Sequence, residues 1–363
     1  MRVAIIHREG GADPRCVKII NTLRSAGHEV MFIGWDPDPD KEKVKAITPD
    51  VERTLSLQSQ LGGAGTLKQF PAFLMHILRS LKEFKPDAVH CVNEEISLLV
   101  LPFKHFLFKY MVTDIFDSLA YRVRTDNKLL KKVLKTLSNL TYRFSELIIV
   151  TDQRRFQLID PKYRPKTIVM ENTPDVDCSI FPEKILEGPL KVCTTGLLSK
   201  SRGLARVLAA ADKMDNIEIV ALGVLGDEYA QNEFVNHPKV NYLGKFKPID
   251  ALKVEADCDA ILSFYRPDSL NNIYASPNKV FDAMSVGRPV IINSETIVSQ
   301  WVVEKEIGYA VPYEDADALV EVLEKVRERK DTLEFSSRVK NMYKAEYSWN
   351  VMGDRMLSFY NKL

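Results

Sequence analysis

The sequence predicts an α/β protein made of two similar parallel-sheet domains facing a cleft, and three observations carry that expectation. Short apolar runs of strand length alternate with helical patterns along the chain, as they do where helices cover parallel sheets. The alternation lapses near Asn172 and restarts at Lys191. The 363 residues also exceed what one hydrophobic core usually organises.

The elements follow in order. Residues 3–6 form the opening strand, followed by a glycine-bearing loop, a helix over about 16–26 capped by Gly27, and a strand at 30–33. Residues 73–84 are amphipathic at helical spacing and lead through Pro86 and Asp87 into a strand at 88–91. A strand at 111–113 ends in an acidic loop, and 147–150 is a further buried strand. Pro174, Pro182 and Pro189 punctuate a stretch of little periodicity, the expected linker. Strands then recur at 191–196, 217–222, 240–243, 260–264 and 290–292. Residues 338–363 read as one or two helices carrying Tyr347, Trp349, Met352, Met356 and Tyr360. The expected division is a first domain at 1–172, a linker at 173–189, a second domain at 190–345 and a terminal helix at 346–363 that crosses back to the first domain.

Composition narrows the function. Hydrophobic and charged contents of 45% and 27% are those of an ordinary globular protein. A formal charge of +1 argues against a dedicated nucleic-acid binder, which would be strongly basic. The five cysteines are scattered without a C-x-x-C and read as small buried hydrophobes in a reducing compartment. The six histidines stand far apart, so no metal site is expected. The chain opens on a strand, which leaves no room for a signal peptide, and its longest apolar run, 96–103, has eight residues where a membrane span needs about 20. The expectation is a soluble cytoplasmic chain.

The most informative segment runs from Ala275 to Ile291 and reads as loop, short helix and strand. Ser276 is a suitable N-cap, and Pro277 at the first helical position costs no hydrogen bond. Asn278, Lys279 and Val280 then offer unpaired N–H groups at the positive end of a helix, where a phosphate is favoured. Val280, Phe281 and Met284 form the apolar face, and Asp282 points about 160–200° away from Val280 and Met284 at 3.6 residues per turn. Gly287 ends the helix and Pro289 prevents its continuation. A nucleotide suits this pattern, with its diphosphate on the amides and its ribose on Asp282; an ordinary αβ unit with a solvated Asp is the alternative.

This segment is similar to the donor-binding signature of GT-B glycosyltransferases, in particular the large retaining family four. In that family proline–asparagine–lysine and then an acid precede a glycine–x–proline strand start. The resemblance implies two Rossmann-like domains, transfer of a sugar from a nucleotide-diphosphate donor to a glycan or lipid-linked acceptor, retention of configuration, and no metal or other cofactor. It puts Asp282 on the ribose. Tyr274 stands where many members carry a second Glu, and the run Asn271-Asn272-Ile273-Tyr274-Ala275-Ser276-Pro277-Asn278-Lys279 is similar to a sub-pattern of the family. Tyr347-Ser348-Trp349 is similar to the family's ending.

Other candidates lie at strand ends. Gly10 and Gly11 follow the first strand without a G-x-G-x-x-G fingerprint; they form a plain βα turn or, as the resemblance implies, a loop approaching donor or acceptor. The turn from Gly196 to Gly203 brings Lys200 and Arg202 to a helix start, where cations and amides suit a pyrophosphate. The resemblance assigns Arg202 to the diphosphate, places Leu197 where a second basic residue is common, and leaves Lys200 as a compensating cation or a solvated lysine. Phe246 covers a nucleobase or belongs to the core. Asp114 and Asp117 end a strand of the first domain on one side; Phe116 replaces the family's histidine, and Asp117 contacts the sugar, orients the acceptor or caps the next helix.

From Lys104 to Arg143 nine Lys or Arg face three Asp, and Leu129, Leu130, Val133, Leu134 and Leu137 recur at helical spacing beside Lys128, Lys131, Lys132 and Lys135. A basic amphipathic helix of this kind lies on anionic lipid or packs with a solvated basic face. The first option implies peripheral attachment at the inner face of the membrane, in polysaccharide or glycolipid synthesis. Two other functions fit the architecture. A GT-B sugar-nucleotide epimerase would need acids and histidines at the cleft, and a catalytically inactive nucleotide-sugar-binding relative would explain Tyr274, Leu197 and Phe116.

Overall fold

A computed structural model describes residues 1–8, 13–36, 50–56, 64–122, 127–183, 185–329 and 332–363, without the side chains of residues 64–68, 121 and 122. The chain divides into two compact units, residues 1–171 with 352–363, and residues 172–351.

The first unit holds seven strands: β1 (Arg2–Ile6), β2 (Glu29–Asp36), β3 (Glu52–Ser56), β4 (Ala88–Val92), β5 (Tyr110–Ile115), β6 (Leu147–Val150) and β7 (Thr167–Val169). They form one parallel sheet in the order β3-β2-β1-β4-β5-β6-β7. β4 and β6 are buried along their whole length, as inner strands covered on both faces must be. The helix Pro14–Ser25 starts two residues before the sequence suggests, because Asp13 accepts the N–H groups of Arg15 and Cys16 and serves as N-cap.

Arg15, on that helix, and Asp114, on β5, form a buried ion pair at 3.1 Å. This corrects the expectation that Asp114 faces outward beside Asp117: its side chain is wholly buried. Burial alone would raise its carboxyl, but Arg15 and then His90 outweigh that and hold it below the usual carboxylate range. From Met352 onward the helix Trp349–Tyr360 belongs to this unit, with Met352, Met356 and Tyr360 buried. Its Tyr360 hydroxyl lies 2.8 Å from His90 Nδ1, and a Cβ on its Gly353 would stand 3.0 Å from Thr22 Cγ2.

The second unit carries β8 (Leu190–Leu198), β9 (Ile217–Leu225), β10 (Val240–Tyr242), β11 (Ala260–Ser263), β12 (Val290–Asn293) and β13 (Gly308–Val311). All are parallel, in the order β10-β9-β8-β11-β12-β13. Cys178 and Phe181, from the proline-rich stretch, pack into its core with Val280, Phe281 and Met284. Burying side chains of this size contributes roughly 1.5–3 kcal/mol each.

Candidate functional site

In the second sheet the chain winds from β8 outward through β9 to β10, then returns to place β11 on the other side of β8. Loops leaving the C-terminal ends of β8 and β11 therefore part in opposite directions, which opens a crevice at such a switch point. A cavity of about 180 Å³ lies there. Gly196 and Leu197 of β8 line it, with Arg202, Tyr265, Ser276, Asn278 and Lys279.

Arg202 closes a 3₁₀ turn, Lys200–Arg202, and Gly203 follows with φ +78°. A Cβ at Gly203 would lie 2.9 Å from Phe264 Cβ, so only glycine allows this turn. The Arg202 guanidinium lies 3.8 Å from the centre of the Tyr265 ring, and the Tyr265 N–H donates to Asn293 Oδ1 at 2.8 Å. Arg202 Nη1 is buried without a hydrogen-bond partner among the described residues. A guanidinium held by stacking keeps its N–H edge for an acceptor of another kind.

The helix Asn278–Val286 begins one residue later than the sequence suggests. Pro277 has ψ 125° and occupies the N-cap position, so Ser276 is not the cap and no side chain caps the helix. Ser276 lines the cavity instead, beside Asn278 and Lys279 at the uncapped start. Gly287, at φ +73°, ends the helix as its sequence implies.

Lys279 Nζ lies 3.4 Å from Asp282 Oδ2 and 4.0 Å from Glu255 Oε1. Burial pulls the Lys279 ammonium down in pKa, but Asp282 and Glu255 more than offset this and hold it raised. Glu255, on the helix Pro248–Ala256, accepts from Thr195 Oγ1 at 2.8 Å. Its carboxyl is pushed up to about 7, by burial first and Asp282 second. Sequence reasoning missed Glu255. The available signal was its spacing, since Leu252, Glu255 and Ala256 fall on one buried helix face.

The remaining candidates lie elsewhere. Lys200 is exposed, with its ammonium 5.3 Å from the centre of the Tyr229 ring and outside the cavity lining. Phe246 is 42% exposed in the loop after β10. Tyr274 follows the helix Leu270–Ile273, its N–H donating to Leu270 O at 2.8 Å. Pro277 and Val280 are buried and do not line the cavity. Gly10 and Gly11 lie outside the described residues.

In the first unit, Asp117 follows β5, 46% exposed, with its carboxylate 3.6 Å from Arg155 Nη2. Asn93 Oδ1 accepts the N–H groups of Phe116 (2.8 Å) and Asp117 (3.1 Å) and fixes this loop. The Leu119 N–H at the head of the next helix goes to Glu94 Oε2 at 3.0 Å, so Glu94 takes the capping role considered for Asp117. The basic helix spans Lys128–Phe144, with Asn127 as its N-cap. Leu134 is buried, but Leu129 (71%), Leu130 and Val133 are exposed among Lys128, Lys131, Lys132 and Lys135.

No family model matches the sequence, and no curated protein matches it either. Solved structures do. The chain matches sucrose-phosphate synthase from Thermosynechococcus elongatus with a TM-score of 0.78 at 14% identity, over 100% of this chain and 98% of that one. It matches Anabaena HepE, solved in complex with UDP and glucose, with a TM-score of 0.73 at 12% identity, over 100% of both chains. The lipopolysaccharide outer core galactosyltransferase WaaB matches with a TM-score of 0.65 at 14% identity, again over 100% of both. The fold is GT-B. Among the described residues of this GT-B chain, no group of three or more His, Cys, Asp or Glu is placed to hold a metal. Among the same residues, no helix is long and apolar enough to cross a membrane.

Proposed function

We propose that the protein is a retaining glycosyltransferase of the family-four type, taking a sugar from a nucleotide-diphosphate donor to a glycan or lipid-linked acceptor. One observation carries this reading: Arg202, Lys279 and the uncapped start of the helix Asn278–Val286 converge on one cavity at the switch point of the second sheet. Two cations and a helix N-terminus suit a diphosphate, and Asp282 one turn inside takes the ribose. Negative charge grows on the diphosphate as the glycosidic bond breaks, and these groups stabilise it without a metal. HepE, of the same fold, was solved with UDP and with UDP-glucose, which supports a nucleotide-sugar donor here.

The first unit takes the acceptor in this reading, with Asp117 orienting it. The exposed leucines and lysines at the head of the helix Lys128–Phe144 support a lipid-linked acceptor at an anionic membrane surface. The test is incubation with individual nucleotide sugars and acceptors. Release of nucleoside diphosphate together with a glycosylated acceptor is expected. An interconverted sugar would make the protein an epimerase, and binding without turnover would make it an inactive relative.

A further inference from the structure

Glu255 is 1% exposed, on the buried face of its helix. The end of that helix is fixed by Arg288, which donates from Nε (3.1 Å) and Nη2 (2.8 Å) to the Ala256 carbonyl. From this mount the Glu255 carboxylate reaches β8 and Lys279. Oε1 accepts from Thr195, whereas Oε2 is buried without a hydrogen-bond partner among the described residues. The groups facing the carboxylate and its lysine come from several elements. They are the Cys193 thiol from β8, Lys279 and Asp282 from the helix Asn278–Val286, and Tyr265 beyond β11. One ammonium thus serves two carboxylates, so the trio is net negative when all three are ionised. Asp282 is the closer to Lys279 and the more exposed, at 17% against 2% for the Glu255 side chain, which makes Glu255 the acid that yields to added negative charge.

We propose that Glu255 is a proton-linked positioning residue for Lys279, taking up a proton from solvent when an anion fills the cavity and returning it when the anion leaves. The inference rests on the diphosphate reading of the cavity. An anion on Lys279 and Arg202 adds charge of the same sign beside a carboxylate that is only 1% exposed. Protonation of Glu255 removes that repulsion and releases the ammonium from one of its two carboxylates. The proton adds to a carboxylate oxygen, and no other bond forms or breaks. The sign follows directly. The bound anion raises a carboxyl already standing at about 7. Protons are therefore taken up on binding in the range just above that value, and affinity falls as pH rises through it, by up to about tenfold per pH unit.

The test is calorimetric titration with UDP and with inorganic pyrophosphate from about pH 6 to about pH 9, in buffers of different ionisation enthalpy. The wild type is compared with Glu255→Gln, which keeps an acceptor for Thr195. The ligand's own titration is common to both proteins and cancels in the difference. Expected is an excess uptake by the wild type approaching one proton above neutral pH, with a flatter affinity profile for the variant. Equal uptake by both proteins, with binding intact, overturns the role of Glu255 and leaves the diphosphate site standing. Failure of both proteins to bind either ligand overturns the site and this inference together. Should Glu255→Gln fail to fold, infrared difference spectra of the wild type decide. A protonated carboxyl band appearing with UDP supports the proposal, and its absence overturns it.

Discussion

Each unit pairs a cation with carboxylate, and the two clusters are finished to different degrees. In the first unit Arg15 makes two bonds to Asp114, at 3.1 and 3.2 Å, and a third to the Met170 carbonyl at 2.8 Å. His90 Nε2 lies 3.4 Å from Asp114 Oδ2. In the second unit Lys279 has only looser contacts, at 3.4 and 4.0 Å, while Glu255 Oε2 and Arg202 Nη1 have no hydrogen-bond partner among the described residues. A saturated cluster has nothing left to offer a ligand. An unsaturated one beside a cavity does, because orphaned polar groups cost free energy until something satisfies them. The contrast separates a charge cluster whose polar groups are all paired from one that leaves polar groups open beside a cavity.

The contrast breaks most sharply through stability. Asp114→Asn strands the Arg15 charge in the core and is expected to cost about 3–5 kcal/mol, read as an earlier denaturant midpoint for the first unit. A cost below about 1 kcal/mol would mean that the cluster is not structural.

Arg202→Ala is expected to do the reverse. Turnover at saturating donor should fall about 10²–10³-fold, the usual loss for one transition-state donor, while stability stays within about 0.5 kcal/mol. Arg202→Lys should rescue only part, since an ammonium neither stacks on Tyr265 nor offers a fork. Wild-type turnover in Arg202→Ala would move the role to another cation.

Asp282→Ala tests the acid that stands behind the cavity-lining Lys279. Loss of a charged hydrogen-bond partner should weaken UDP binding by about 1.5–3 kcal/mol in calorimetry. An unchanged dissociation constant in a folded variant would remove Asp282 from the nucleotide site.

The smallest effects per residue belong to charges bathed in solvent. Lys128, Lys131, Lys132 and Lys135 should each contribute about 1 kcal/mol to attachment on anionic vesicles, with steep loss in high salt. Co-sedimentation of the wild type and of a four-lysine Gln variant measures this. A wild type that stays in the supernatant at low salt ends the membrane reading.

The two-sheet fold was legible because inner strands are buried on both faces and read as continuous apolar runs, as residues 88–91, 147–150 and 290–292 do. β3, β7 and β13 escaped notice, and all three are edge strands. An edge strand has one neighbour to satisfy, and Glu52–Ser56 meets that demand with mostly polar residues. At the site, Arg202, Ser276, Asn278 and Lys279 were singled out because turn chemistry and helix-start signals are local in sequence. Glu255 was not, since an acid in a charged helix reads as solvated until Thr195 and Lys279, far away in the chain, arrive beside it. The outward placement expected for Asp114 failed for the same reason. Its partner Arg15 is 99 residues away.

The helix Trp349–Tyr360 has a consequence for how the protein is made. Residues 172–351 form one uninterrupted unit, whereas the other unit is completed only by residues 352–363. During synthesis the second unit therefore has all of its sequence before the first unit does, inverting the usual order in which the earlier-translated domain folds first. Until Tyr360 leaves the ribosome, His90 lacks its phenol partner and the surface around Thr22 that receives Gly353 is uncovered. For the length of the second unit's translation, the half of the molecule begun first stands without its closing segment.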